Sequence, residues 1–78
     1  MFRLNATLAV YLHREPIDFR KNINGLAALV EHDLALDPFA DALYVFGNRR
    51  RDRIKILGWS RNGFWLLQKR LESERFIW

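Results

Sequence analysis

Five basic side chains crowd one short stretch of this chain. Arg49, Arg50, Arg51, Arg53 and Lys55 lie within GNRRRDRIK, from Gly47 to Lys55, and meet a single acid, Asp52. They suit the capture of a polyanion, because a planar multi-donor guanidinium matches phosphate and each neutralised phosphate releases counter-ions. The same run can also be a solvated turn that keeps a strand soluble. A second set interleaves Trp59, Phe64 and Trp65 with Lys69 and Arg70. Rings in that company can stack bases, although a small domain needs its large side chains for a core. A third set, Asp33, Asp37 and Asp41, recurs at intervals of four beside His32 and superficially resembles a metal or acid–base cluster. Pro38 breaks any helix that would align these carboxylates, so they read as caps and turn formers and no metal is expected. His13 and His32 are the two histidines, and they stand far apart in sequence. Without cysteine, a glycine-rich phosphate loop or a serine nucleophile motif, the residues point to neither catalysis nor a cofactor.

Charge arithmetic isolates the first set. The 78 residues carry thirteen Lys and Arg against nine Asp and Glu, a net charge of +4. The Gly47–Lys55 stretch contributes five bases and one acid, which leaves eight of each elsewhere to cancel. One cationic patch on a neutral body fits a polyanionic partner, with nucleic acid ahead of a membrane surface. The apolar run from Leu8 to Leu12 is too short for a signal-peptide core or a membrane span, so a soluble, unexported protein is expected.

A chain of this length is one domain, and it buries only about 60% of the surface its unfolded form exposes. Its eleven aromatic residues must fill a dense core or meet a partner. Ala6 to Leu12 reads as a strand ended by Pro16. Phe19, Ile23, Leu26 and Val30 then recur at spacings of four, three and four, the apolar face of a helix capped by Asp18 and running to about Asp33. Gly25 inside it suggests close approach of another backbone. After a turn at Asp37-Pro38, three short runs read as strands: Leu43 to Phe46, Ile54 to Leu57 and Phe64 to Leu67. Between the last two, Asn62-Gly63 supplies the positive φ angles of a tight hairpin. The apolar end, Arg75 to Trp78, reads as an extra strand, a docked tail or a contact with a second copy. Alternation leaves both faces of the Phe64 strand apolar, and one helix covers only one of them.

Taken together, the motifs resemble a known family. DFRKNINGLAALVE from Asp18, DPF from Asp37, YVFGNRRRDRIKILGW from Tyr44, GFWLLQKRLE from Gly63 and the terminal RFIW are similar to the TnpB-type accessory protein, the second open reading frame product, of the insertion sequence sixty-six family of bacterial transposable elements. The likeness covers Val10 to Trp78 in order. It implies a non-catalytic protein that works beside a separate, larger transposase. The family's Asp-x-Arg-Lys motif falls on Asp18, Arg20 and Lys21, its helix glycine on Gly25, its basic motif on Asn48 to Arg53 with Lys55, and its Lys-Arg-Leu-Glu motif on Lys69 to Glu72. Members usually continue with a proline and a further segment, which implies a domain shortened at its C-terminus. Gly47 and Gly58 stand where larger residues are common.

The expected architecture is α+β, a single small domain with one helix packed on an antiparallel sheet in the order β-α-β-β-β, with room for a C-terminal strand. The expected function is an accessory role in DNA transposition in the bacterial cytoplasm, at the nucleoid. The partners would be element DNA and the transposase, with no membrane; a homodimer is open. Arg49, Arg50, Arg51, Arg53 and Lys55 would supply phosphate contacts, extended by Lys69 and Arg70, with Arg20 and Lys21 as a second basic site. The alternative is a protein-interaction module that docks on the transposase through the second apolar sheet face.

Overall fold

A computed structural model describes residues 8–78. Its elements run β1 (Ala9–Leu12), α1 (Ile23–His32), β2 (Ala42–Gly47), β3 (Arg53–Ser60) and β4 (Gly63–Arg70). They form one four-stranded sheet in the order β1-β2-β3-β4. The α+β class and the order of elements are as expected, while Ala6 and Thr7 of the first predicted strand lie outside the described residues.

The sheet is mixed rather than purely antiparallel. β2, β3 and β4 form the antiparallel meander, but β1 runs parallel to β2, with Ala9 opposite Ala42 and Leu12 opposite Val45. A helix between two neighbouring strands carries the chain back to its starting end, so β2 must leave in the same direction as β1. Beyond β1 the backbone stays beside β2: His13 N–H donates to the Val45 carbonyl and Ile17 N–H to the Gly47 carbonyl, each at 2.9 Å. The exit of β1 thereby reaches the end of the sheet where β2 turns into β3.

The helix begins later than the apolar spacing suggests. Its N-cap is Asn22, with no side-chain cap, and its first bond joins Leu26 N–H to the Asn22 carbonyl. Lys55 supplies the reason. Its Nζ donates to the carbonyls of Phe19 (2.7 Å) and Lys21 (2.8 Å), and the first is the acceptor an earlier helix would have offered to Ile23. Asp18 therefore caps no helix; its carboxylate accepts from the backbone N–H and guanidinium of Arg20. Gly25 does not admit a second backbone either, since a Cβ there would meet the Lys21 side chain at 3.2 Å.

Leu26 and Val30 are fully buried against Ala42, Tyr44, Phe46 and Leu57, and Phe64 and Leu66 pack at the margin. The register puts Leu66 opposite Leu57 and Leu57 opposite Tyr44, one apolar row across three strands. Tyr44 donates its hydroxyl to the Asp37 carbonyl at 2.7 Å, which ties the Asp-Pro turn to the core. Phe39, from that turn, packs on Trp59 and Phe64 with ring centres 4.9 and 5.4 Å away. These rings form a cluster at the edge of the core, with Phe64 packed against the core and Phe39 54% exposed.

Among the described residues, no helix covers the other sheet face. Val10, Leu12, Leu43, Val45, Ile56 and Leu67 share it by alternation, with Val10 63% and Leu67 48% exposed. The β3–β4 hairpin has a two-residue loop, Arg61-Asn62, between paired Ser60 and Gly63. The positive φ falls on Arg61 (58°) and not on Gly63, so the Asn-Gly pair marks the turn without supplying its left-handed residue. The tail after β4 adds no strand.

Candidate functional site

The β2–β3 connection is built by one side chain. Asn48 Oδ1 accepts from the backbone N–H groups of Asp52 and Arg53, both at 3.1 Å, and its Nδ2 donates to Asp52 Oδ1 at 2.6 Å. That amide bond holds the Asp52 carboxyl below its usual value, and the charges of Arg50 and Arg53 add to the effect. Arg51 closes the tip at φ 62°, the left-handed region that side chains with a Cβ rarely adopt. The strain is fixed from both sides, because Arg51 N–H donates to the Asn48 carbonyl and its own carbonyl accepts from Phe76 N–H at 2.6 Å.

That last bond docks the chain's end. Leu71 N–H also reaches the Asp52 carbonyl, at 2.7 Å, so the tail folds back along the tip. Trp78 lands on Gly47, where its Cζ2 and Cη2 occupy the space a Cβ would take. The apolar terminus thus joins its own hairpin.

The expected basic site is divided by the pleat. Lys55 is 4% exposed, with Nζ on two carbonyls and 4.9 Å from the centre of the Phe19 ring, so it is a structural rivet facing the helix. Arg53 and Arg70 sit opposite each other on the same face as Lys55; Arg70 pairs with Glu72 at 2.8 Å, and Arg53 Nε is buried with no hydrogen-bond partner among the described residues. Lys69, opposite Ile54, belongs to the other face. Arg20 is bound to Asp18 at 2.6 Å, which drives the Asp18 carboxyl far below the carboxylate range and raises Arg20. Lys21 borders a separate groove with Ile23, Gly25 and Leu66.

What the fold does bring together is a cavity of about 620 Å³ at the tip, lined by Arg14, Glu15 and Pro16 from the exit of β1, Asn48, Arg49 and Arg51 from the connection, and Trp78 from the tail. Among the described residues, no acid pairs with Arg14, Arg49 or Arg51. Arg50 makes a long contact of 3.8 Å to Asp52 and is otherwise exposed. Sequence reasoning missed Arg14, whose charge was cancelled in the overall count. Only the parallel β1–β2 pairing carries it there.

The acid–histidine set does not assemble. Asp33 Oδ2 lies 2.7 Å from Nε2 of the buried His13, whose Nδ1 donates to the Glu15 carbonyl, and Asp37 accepts from Phe39 N–H within its turn. Among the described residues no three His, Asp or Glu are placed to hold a metal ion. No helix there is long and apolar enough to cross a membrane.

The tip and its basic run lie inside a stretch shared with known proteins: the family model described as IS66 Orf2 like protein matches residues 8–78. The chain belongs to the IS66 Orf2-like family. The resemblance drawn from its motifs is therefore confirmed, and the family is one of accessory proteins of insertion sequences. This Orf2-like chain is also 40% identical over 70 residues to a protein of Sinorhizobium fredii described as uncharacterized protein y4jC, a match over 90% of the chain and 60% of that relative. It spans less than two thirds of the relative's length. No solved structure matches it.

Proposed function

We propose that this chain is a non-catalytic accessory factor of transposition that holds element DNA, free or already gripped by the transposase, through the β2–β3 tip. One observation carries the reading: Arg14, Arg49 and Arg51, unpaired among the described residues, converge on one cavity. Three cations gathered with Glu15 as the single carboxylate beside them leave an excess of positive charge, and a polyanion relieves their mutual repulsion. Arg50 is free to swing to a neighbouring phosphate; Arg53 and Arg70, which share one sheet face, extend the track along it, while Lys69 lies on the opposite face. Lys55 is left out, because its Nζ is committed to the fold. Such a factor works in the bacterial cytoplasm, at the nucleoid.

Fluorescence anisotropy of labelled terminal-repeat duplex at two salt concentrations tests this, beside a scrambled duplex and an Arg49→Glu, Arg51→Glu variant. Saturable binding is expected, with a log–log salt slope that flattens by about 0.9 for each phosphate contact the variant loses. The exposed Val10 and Leu67 on the uncovered face favour a second reading, docking on the transposase without DNA. Absence of DNA binding at low salt, together with transposase capture abolished by Leu67→Lys, would establish that reading instead.

A further inference from the structure

We infer that the cavity at the tip receives an unpaired nucleotide of single-stranded DNA, with its base on Trp78 and its flanking phosphates on Arg14, Arg49 and Arg51. The inference rests on the proposal that the tip binds DNA and adds which form of DNA it takes.

Three features set this place apart from a basic strip suited only to duplex. It is concave, and its volume of about 620 Å³ falls within the roughly 300–1,000 Å³ of small-ligand sites, whereas a duplex backbone needs only a ridge or groove. It combines guanidiniums with an aromatic ring. Trp78 is 39% exposed; one edge of its ring rests on Gly47, the Phe76 ring lies 6.2 Å away, and the bond from Phe76 N–H to the Arg51 carbonyl anchors the tail that carries it. A fixed, partly exposed indole beside cations is the usual platform for an unstacked base, because every base offers a π-face and phosphates follow at the rim. The remaining wall is polar: Asn48 commits its Oδ1 and one amide hydrogen to Asp52 and Arg53, and Glu15, the one carboxylate lining the cavity, can accept from an exocyclic amino group. A paired base is stacked on its neighbours and cannot present its face to Trp78.

Anisotropy of the chain with four labelled ligands at one low salt concentration decides the matter: a 12-nucleotide single strand, its blunt duplex, the same duplex with a single-stranded overhang, and the single strand with abasic sites. Expected is tighter binding to the single strand and the overhang than to the blunt duplex, by about tenfold, with that margin lost on the abasic strand. Trp78→Ala should erase the same margin while blunt-duplex affinity stays. Trp78→Phe should restore most of it, and circular dichroism of both variants checks that the fold is intact. Arg14→Glu should weaken every ligand. Equal affinity for single strand and duplex, or a single-strand preference that survives Trp78→Ala, overturns the nucleotide site and leaves duplex binding standing. Failure of all four ligands to bind overturns both proposals.

Discussion

Trp78 stands on Gly47, thirty-one positions back along the chain, with Cζ2 and Cη2 where any other residue would place its Cβ. The contact places an aromatic ring beside Arg49 and Arg51 and shields the end of β2. Gly47 is needed here for space, since its φ is not positive.

Gly47→Ala should displace the ring. A methyl group cannot share that volume, and overpacking of this kind costs roughly 1–3 kcal/mol unless the neighbour moves aside. The indole N–H resonance of Trp78 should shift while that of Trp59, in the opposite aromatic cluster, stays. An unshifted Trp78 signal would show that the contact does not persist in solution.

Lys55→Met should destabilise the fold without touching DNA affinity per folded molecule. The substitution keeps the stem but leaves the Phe19 and Lys21 carbonyls without their donor, a loss of about 1–3 kcal/mol. Chemical denaturation read beside the anisotropy titration separates the two effects. A salt slope flattened in this variant would return Lys55 to the phosphate-contacting set.

Arg51→Gly should move stability and binding in opposite directions. Glycine adopts φ 62° without the Cβ clash that costs roughly 1–2 kcal/mol, so the melting temperature should rise. Affinity for DNA should fall with the lost guanidinium. A melting temperature below that of the parent chain would mean that the arginine side chain itself supports the tip.

Acid should loosen the tip. The folded Asp52 carboxyl titrates below its ordinary value of 3.8, held there by the Asn48 amide and then by Arg50 and Arg53. A depressed carboxylate stabilises fully above the unfolded value and loses that contribution as pH falls through the folded one. Between pH 5 and 8 the tip should therefore be insensitive to pH, and below about 3.8 the Asn48 side-chain N–H groups should lose their protection from exchange. Protection lost already near pH 6 would assign the effect to another group.

The strands, the helix and the family were legible because each rests on local signals: the aromatic and branched apolar run Leu43 to Phe46, the spacing of Leu26 and Val30, motifs in fixed order. Three things were hidden, two of them because they depend on partners distant in sequence and one because a near neighbour competes for the side chain. Lys55 looks like one more cation of the basic run until the loop before the helix folds over it. Asp18 looks like a cap until Arg20 takes both of its oxygens. Arg14 carries no local signal, since only the direction of β1 beside β2 brings it to Arg49.

That direction also sets an order in time. β2, β3 and β4 are joined by short connections and can pair early, whereas Ala9 must find Ala42 across the whole helix, a closure with a larger loop entropy. The arginine-lined cavity should therefore form late in folding. In pulse-labelled exchange, the His13 and Ile17 amides that bind the β2 carbonyls should gain protection after those of the β3–β4 hairpin. A chain still folding, with its hairpins made and its first strand loose, would carry every cation of the site and no site.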